Sequence, residues 1–284
     1  MTPIARYRGR SRWKKWLVLP LVLVAIAAFG YWSNHTIEIT RTTVELETLP
    51  HGFEGMDIVV IGDTQAAEFG QDNARLIQAV ADQNPAYIFF VGDLVDRDHP
   101  YDEAYVTALA LGLVDVAPTY YITGNHEWAL GDVEGLKSVL ADCGVTVLSN
   151  EYVTLEANGD TLVLAGIDDP LGYADQKTPE ELAAEINALN PNCWVLLAHR
   201  NDYFETQYSL LGADLVVSGH GHGGLIRLPF TDGLIDHSGL LPSYTAGLYE
   251  LNGSTLFATR GLGNSKNTFR LFNRSEVAVI TLTQ

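Results

Sequence analysis

The chain has 284 residues, enough for one large domain or two small ones, each with a sizeable core. A hydrophobic content of 47% and a charged content of 18% exclude an intrinsically disordered chain. The formal net charge is −18, but residues 1–16 hold six basic residues and no acidic one, which leaves 11 basic against 35 acidic residues, or −24, for the remainder. Such an acidic surface repels nucleic-acid phosphates, so we expect no nucleic-acid binding, and a phosphate-bearing substrate would need a metal.

The first predicted element is an N-terminal membrane anchor over residues 16–32. This stretch holds no charged side chain, and its 17 residues are near the shortest length that spans a bilayer. The basic segment before it, residues 1–15, is expected to stay in the cytoplasm, which places the rest of the chain outside. A cleaved signal peptide is the alternative, since Ala25-Ile26-Ala27 resembles a cleavage site, although it lies inside the apolar run.

The remainder, residues 36–284, is predicted to form one α/β domain. Residues 36–47 alternate apolar and polar side chains, as strands do. Continuous apolar strands at 57–61, 87–91 and 119–123 then each end in a polar loop, with helices predicted over 73–83 and about 101–116. This order of strands and helices implies right-handed crossovers and a layered sheet.

Further strands and one well-marked helix follow in the second half. Asn158-Gly159 predicts a hairpin over residues 151–167, after a short strand at 145–148. Thr178-Pro179-Glu180-Glu181 is a capping box with proline at the first helical position, so a helix begins there. The remaining strands are predicted over 194–198, 213–217, 225–228, 247–250, 255–259 and 277–282.

Polar side chains follow five of the buried strands at the point where each strand ends. These carboxylates, carboxamides and imidazoles are Asp63, Gln65, Asp93, Asn125, His126, His199, His220 and His222. Ligands bind at the carboxyl ends of the strands in open α/β sheets. Each residue alone could belong to a turn or a core, but five such strand ends together provide what a dinuclear metal site needs. Mixed nitrogen and oxygen ligands favour Zn, Mn or Fe, and the lack of cysteine argues against a structural zinc site.

These motifs, in this order, resemble the calcineurin-like metallophosphoesterases. They are Gly62-Asp63-Thr64-Gln65, Gly92-Asp93-Leu94-Val95-Asp96-Arg97, Gly124-Asn125-His126-Glu127, Ala198-His199 and Gly219-His220-Gly221-His222. The stretches 49–55, 166–169, 218–224, 226–230 and 260–263 resemble the membrane-associated bacterial branch. That branch includes phosphodiesterases and enzymes that cleave the pyrophosphate of UDP-2,3-diacylglucosamine. The resemblance runs from about Thr36 to the C-terminus and implies a layered β-sandwich flanked by helices.

The resemblance also implies a role for each site residue and two divalent ions as cofactors. One ion takes Asp63, Gln65 and His222, the second takes Asn125, His199 and His220, and Asp93 bridges them. The catalytic residues are Asp93 and His126, which is not a ligand but approaches the phosphoryl oxygens or the leaving group. Arg97 braces the Asp93 loop or reaches phosphate, so Arg97, Asn125 and His126 are the expected substrate-binding residues. A hydroxide shared by the two cations would attack phosphorus in line with the leaving oxygen.

Gln65 departs from the family pattern, which has histidine at this position. A carboxamide oxygen is neutral and donates less strongly than imidazole, so the first ion would bind more weakly or favour Mn, Mg or Fe over Zn. We therefore expect a metal-dependent phosphodiesterase or pyrophosphatase acting on an envelope lipid or a nucleotide-linked substrate. The alternatives are a phosphomonoesterase of the same fold and, because of Gln65, a non-catalytic metal-binding envelope protein.

Overall fold

A computed structural model describes residues 13–227, 233–236, 239–264 and 269–284 of the chain, with side chains from residue 18 onward. Residues 1–12 of the basic segment and residues 228–230, part of one stretch that carries the resemblance, lie outside the described residues. The helices are α1 (Trp13–His35), α2 (Ala74–Ala81), α3 (Glu103–Val116), α4 (Asn125–Leu130), α5 (Val133–Asp142) and α6 (Pro179–Leu189). The strands are β1 (Ile37–Glu45), β2 (Asp57–Ile61), β3 (Tyr87–Phe90), β4 (Thr119–Tyr121), β5 (Thr146–Val147), β6 (Glu151–Ala157), β7 (Asp160–Gly166), β8 (Trp194–Arg200), β9 (Leu215–Gly219), β10 (Ile226–Arg227), β11 (Gly233–Asp236), β12 (Gly239–Leu240), β13 (Gly247–Leu251), β14 (Ser254–Ala258) and β15 (Ser275–Thr283).

Two six-stranded sheets form the body of the molecule. The first has the order β1-β15-β2-β3-β4-β5, and the second has the order β13-β14-β9-β8-β7-β6. Within them, β2 to β5 run parallel to one another, as do β7, β8, β9 and β14. Strands β10, β11 and β12 make a third, small antiparallel sheet. The carboxyl ends of the parallel strands therefore meet along one edge of each large sheet.

Three apolar clusters make the layers of the sandwich. The central cluster joins the facing sides of the two large sheets, with Val60 and Phe89 from the first sheet and Val195 and Val217 from the second. A second cluster packs α2, α3 and α5 on the outside of the first sheet. A third packs α6 on the outside of the second sheet. The α/β class and the layered sandwich flanked by helices are therefore confirmed.

The hairpin and the helix start that were predicted from short turn and capping motifs are both present. Asn158-Gly159 turns the hairpin of β6 and β7. Thr178 Oγ1 accepts from the N–H of Glu181, whose carboxylate in turn accepts from the N–H of Thr178, so the predicted capping box starts α6. Helix α5 was not predicted, and the strand predicted over 225–228 is described only as the two-residue β10.

Helix α1 precedes the sandwich and is long and apolar enough, over Val18–His35, to cross a membrane. Its apolar side chains are mostly exposed, unlike those of a core helix. Within the described part of the chain, the contacts of α1 with the domain are made from its last turns, as by Phe29 and Asn34. This finding agrees with an N-terminal apolar helix at the predicted position, with its end three residues beyond residue 32.

Candidate metal centre

The predicted site residues come together at the edge where the parallel strands end. Asp63 and Asp93 lie in the loops after β2 and β3, His199 lies near the end of β8, and His220 and His222 follow β9. Asn125 and His126 occupy the first turn of α4 rather than the loop that the sequence indicated. All eight polar residues at these strand ends are buried. The two halves of the sandwich thus contribute to one constellation.

The side chains form two groups that share Asp93. In the first cluster (Asp63, Gln65, Asp93 and His222), one ligand atom each from the two aspartates and His222 lie within 4.8 Å of one another. Gln65 joins it, because its Nε2 lies 3.1 Å from Nε2 of His222 and 3.5 Å from Oδ2 of Asp93. The carboxamide can turn so that Oε1 takes the place of Nε2. Oε1 is buried and has no hydrogen-bond partner among the residues that the structure describes, as expected of an atom that can serve as a cation ligand.

The second cluster (Asp93, Asn125, His199 and His220) is built around His199. Nε2 of His199 lies 3.2 Å from Oδ1 of Asn125, 3.2 Å from Nδ1 of His220 and 3.4 Å from Oδ2 of Asp93. One ligand atom each from Asp93, His199 and His220 lie within 4.8 Å of one another. Both clusters could therefore hold a metal ion, and Asp93 is positioned to contact both ions.

Backbone contacts give the two central histidines opposite tautomers. Nδ1 of His199 lies 2.7 Å from the carbonyl oxygen of Val91, which can only accept, so in the neutral ring Nδ1 carries the proton and Nε2 offers its lone pair. The N–H of Arg97 instead donates to Nδ1 of His126, 3.2 Å away, so the neutral ring of His126 carries its proton on Nε2. His199 is thus prepared to bind a cation, and His126 is prepared to donate a hydrogen bond.

The polypeptide is strained at the predicted ligands. Asp63, Gln65, Asp93, His220 and His222 all have positive φ, between 46° and 67°. Non-glycine residues in this region cost about 1–3 kcal/mol each and cluster at functional sites. Gly124 allows the close packing around them, because a Cβ there would collide with Oδ1 of Asp93 and meet Cε1 of His199 at 2.8 Å.

The charges of the buried groups depend on one another. Burial raises the pKa of Asp63 to about 7, with a contribution from the charge of Asp93. Burial by itself lowers the pKa of His199, but the carboxylate of Asp93 raises it to about 10. Burial opposes ionisation of Asp93, yet the imidazole of His199 holds its pKa well below the usual range. Protons therefore supply the positive charge that balances these carboxylates when no cation is bound.

Glu127 holds the loop of Asp93 in place. Its carboxylate accepts from the backbone N–H groups of Asp93 (3.0 Å), Val95 (3.2 Å) and Gly124 (2.6 Å). Arg97 is the residue that the resemblance assigns either to bracing this loop or to reaching phosphate. The Arg97 side chain is instead exposed, and no hydrogen bond or ion pair of its guanidinium is found among the described residues. Glu127 is the last residue of the Gly124-Asn125-His126-Glu127 motif, so its position in that motif is the sequence signal that marks it.

Arg270 was also missed, and no local motif marks it. Its side chain is fully buried, and its guanidinium donates to the carbonyl oxygens of Arg260 (2.7 Å) and Gly263 (2.7 Å). Nη2 lies 3.1 Å from Nδ1 of His222. Because a guanidinium only donates, this contact favours a proton on Nε2 of His222, which a cation at the first cluster would have to displace.

The chain is similar in sequence to known phosphoesterases and in structure to solved proteins. The sequence profile of the calcineurin-like phosphoesterases matches residues 56–224. The uncharacterized metallophosphoesterase YkuE of Bacillus subtilis is 31% identical over 92% of this chain and 91% of its own length. A Danio rerio protein named transmembrane protein with metallophosphoesterase domain is 28% identical over 94% of this chain, which spans 62% of that protein. Among solved structures, NAD nucleotidase of Haemophilus influenzae is similar over 72% of this chain and 49% of its own, at 15% identity and a TM-score of 0.47.

Proposed function

The chain belongs to the calcineurin-like phosphoesterase family, whose members hydrolyse phosphoester bonds, and from this premise we propose that it is a two-metal phosphodiesterase or pyrophosphatase of the cell envelope. The observation that carries the proposal is the sharing of Asp93 by two clusters of buried ligands. Divalent metal ions bound there would lower the pKa of water and neutralise charge on the phosphoryl oxygens. The identity of the ions is expected among Mn, Zn, Fe and Mg.

Each ion would be held by its own set of ligands from this chain. Asp63, Gln65 and His222 would hold the first ion, and Asn125, His199 and His220 the second, with Asp93 between them. Asp63 and His199, whose pKa values are raised, would bind after losing a proton, so binding releases protons to solvent. The orphaned Oε1 of Gln65 supports its assignment as a neutral oxygen ligand.

His126 would act on the substrate rather than on a metal. Its Nε2 lies 3.9 Å from Oδ2 of Asp93, at the edge of the shared carboxylate, and carries the ring's proton. Asp96 Oδ1 lies 3.4 Å from Nδ1 of the same ring. His126 can therefore donate a hydrogen bond to a phosphoryl oxygen and a proton to the leaving oxygen. Arg97 is exposed beside it and could reach a phosphate from the solvent side.

The substrate would be an envelope lipid or a nucleotide-linked compound at the membrane. Helix α1 supports this assignment, since it can span a bilayer, and the basic residues before it favour a cytoplasmic N-terminus with the catalytic domain outside. The Danio rerio relative carries the word transmembrane in its name. A secreted form after signal cleavage is the alternative location.

Hydrolysis of model esters by the full chain in detergent tests this proposal. We expect bis(p-nitrophenyl) phosphate to be cleaved faster than p-nitrophenyl phosphate, and only with Mn²⁺, Zn²⁺ or Mg²⁺ added. Asp93→Asn should lower the rate by a factor of roughly 100 or more, because both ions would lose a ligand. Asp98→Asn, an exposed acid on the same loop, is the matched control and should leave the rate unchanged.

Three results would contradict the proposal. Faster cleavage of the monoester would indicate a phosphomonoesterase. Turnover that survives Asp93→Asn would place the chemistry elsewhere. A folded protein that binds metal but cleaves neither ester would contradict the proposed diesterase or pyrophosphatase activity. It would favour the alternative of a non-catalytic metal-binding protein, for which Gln65 is the reason.

A further inference from the structure

We propose that a patch of exposed apolar side chains beside the end of α1 rests on the surface of the membrane that α1 enters. This apolar platform consists of Ile235, Leu240, Leu241, Phe269 and Phe272. The inference rests on the proposed membrane attachment through α1 and identifies the lipid surface as the occupant of the platform. It thereby specifies how the domain is oriented and from where a substrate reaches the metal centre.

The platform exposes large apolar side chains that a water-facing surface would not favour. Leu240 and Leu241 are 74% and 68% exposed, and Phe269 is 51% exposed. Contiguous apolar patches on soluble domains mark interaction sites with proteins or membranes. The rest of the domain is strongly acidic, so this apolar surface differs in character from its surroundings.

Strand pairing connects the segments that carry the platform. Leu271 exchanges backbone hydrogen bonds with the neighbourhood of β10, accepting from Arg227 at 3.0 Å and donating to Leu225 at 3.1 Å. Strand β10 pairs with β11, and β11 pairs with β12, where Ile235 is the direct partner of Leu240. Neighbouring strands lie about 5 Å apart, so the segment 269–272 and β12 are separated by roughly 15 Å. The segments that carry the five side chains are thus joined laterally, with Ile235 and Leu240 directly opposite each other.

The same segment holds the end of α1. The rings of Phe29 and Phe272 have their centroids 4.9 Å apart, and the ring of Phe269 lies against Gly30. Asn34 accepts from the N–H of Arg270 (3.0 Å) and donates to the carbonyl oxygen of Arg270 (2.9 Å). The platform therefore begins where the candidate membrane span ends, at the level expected of a bilayer interface.

The side chains around this junction have the composition of an interface with lipid headgroups. The guanidinium of Arg274 lies 4.6 Å from the ring centroid of Trp32. Arg75 lies close to the last carbonyl of α1, with Nη2 3.5 Å from the oxygen of His35. Aromatic rings and basic groups together are favoured at the boundary between hydrocarbon and headgroups. An acidic domain would otherwise be repelled by anionic lipids.

The platform also adjoins the metal centre. Strand β10 begins at Ile226, two residues after the short helical turn His222–Gly224. Asn273 Nδ2 donates to the carbonyl oxygen of His222 at 2.6 Å. Arg270, between Phe269 and Phe272 in sequence, contacts the imidazole of His222. A phosphoester in the headgroup layer would therefore lie next to the segments that position the first cluster. The substrate class that follows is a phosphoester held in a bilayer rather than one diffusing freely in solution.

Lipid quenching of a fluorophore in the full chain tests the inference without needing activity. Bimane is attached to cysteine at Leu240→Cys, Phe272→Cys or Leu210→Cys in a Cys143→Ser background, Cys193 being buried. The proteins are reconstituted in vesicles of phosphatidylcholine and phosphatidylglycerol that carry a nitroxide lipid. Leu210 is the control, because it is 66% exposed but precedes β9, at the opposite end from the metal centre. Leu21→Cys, within α1, reports the membrane attachment itself.

We expect quenching at residues 240 and 272 to be about threefold stronger than at residue 210, as for side chains immersed in the interface. Quenching at residue 21 with none at 240 and 272 would overturn the inference and leave the anchor intact. No quenching at residue 21 would overturn the membrane attachment and the inference with it. Protection of residues 240 and 272 in a detergent-solubilised dimer, abolished by Leu240→Asp, would assign the platform to a second copy of the chain and would also overturn the inference.

A second experiment tests whether the substrate reaches the metal centre from the bilayer. The variant carrying Leu240→Asp and Leu241→Asp should cleave soluble bis(p-nitrophenyl) phosphate like the unchanged protein, but hydrolyse phosphodiesters in vesicles about tenfold more slowly. Equal rates of the two proteins on vesicles would contradict the inferred route of the substrate. If neither substrate is cleaved by the unchanged protein, the proposed function fails, while the quenching result still decides the contact with lipid.

Discussion

Gln65 and its surroundings suggest two causes of weak binding at the first cluster. The carboxamide offers a neutral oxygen in place of the imidazole that the resemblance to the family leads us to expect. Arg270 adds a buried positive charge beside His222, and burial lowers its pKa only to about 10, so it stays charged near neutral pH. The second cluster has neither feature. The two ions are therefore expected to bind with different affinities.

The first prediction follows from this asymmetry. Gln65→His should tighten binding at the first cluster by roughly tenfold or more, because imidazole is the stronger donor. Titration calorimetry with Mn²⁺ and Zn²⁺ should resolve one tight and one weak site before the change and two tight sites after it. Gln71→His, at an exposed position nearby in sequence, is the matched control. A single affinity class in the unchanged protein would contradict the asymmetry.

His126 leads to a second prediction, in which the leaving group is the probe. His126→Asn should slow hydrolysis of a diester with an alkoxide leaving group by a factor of about 100 to 10,000, because that oxygen needs a proton. A p-nitrophenolate leaving group needs little protonation, so its release should slow much less. The metal content, measured by mass spectrometry, should not change. Equal losses with both leaving groups, or loss of metal, would show that His126 acts on the ions and not on the substrate.

At the scale of elements, the junction of β4 and α4 determines whether the second cluster can form. Gly124 lies between β4 and α4, is the N-cap residue of α4, and packs against Asp93 and His199. Glu127, one turn into the helix, holds the N–H groups of Gly124, Asp93 and Val95, and burial raises its pKa to about 7. One short helix thus fixes the bridging carboxylate and presents Asn125 and His126.

The third prediction is that Gly124→Ala disrupts this arrangement. The added methyl group would collide with the carboxylate of Asp93 and with His199, and a displacement of about 1 Å can cost roughly 100-fold in rate. We expect metal to be lost from the second cluster first, as measured by calorimetry, together with at least that loss of activity. Gly159→Asn serves as control, because space is open there and asparagine tolerates positive φ. Unchanged metal binding in Gly124→Ala would contradict the packing described.

Much of the fold and of the site could be predicted from the sequence, because the information was local. The ends of β2, β3, β8 and β9 were marked by apolar runs followed by polar motifs, and these ends do converge. The insertion of β15 between β1 and β2 could not be predicted, because it joins residues more than 200 positions apart through pairing alone. Arg270 was missed for the same reason. It reaches His222 only through this long-range folding of the C-terminal segment.

For the whole molecule, the balance between protons and metal ions should govern stability. The pKa values of Asp63 and Glu127 are raised from 3.8 and 4.5 to about 7, and that of His199 is raised from 6.5 to about 10. A group whose pKa is raised by folding stabilises the fold below its unfolded pKa, and this contribution is lost as the pH rises through the folded pKa. All three groups therefore favour the metal-free fold at lower pH.

The fourth prediction is that the metal-free protein loses thermal stability as the pH rises, from about pH 4 to about pH 7 through Asp63 and Glu127 and from about pH 6.5 to about pH 10 through His199. Metal ions compete with the same protons, so added Mn²⁺ should raise the Tm more at the upper end of this range. Scanning calorimetry of the full chain in detergent, with EDTA or with Mn²⁺, measures both effects. A metal-induced increase in Tm that is larger at the acidic end would contradict the assignment of buried, protonated ligands.

Anomalous X-ray scattering from crystals of the Mn²⁺-loaded full chain tests most directly whether two divalent ions bind around Asp93. We expect two anomalous peaks about 3.5–4 Å apart with the carboxylate of Asp93 between them. Asp63, Gln65 and His222 should surround one peak, and Asn125, His199 and His220 the other. A single peak, or peaks held by other residues, would contradict the proposed two-metal centre.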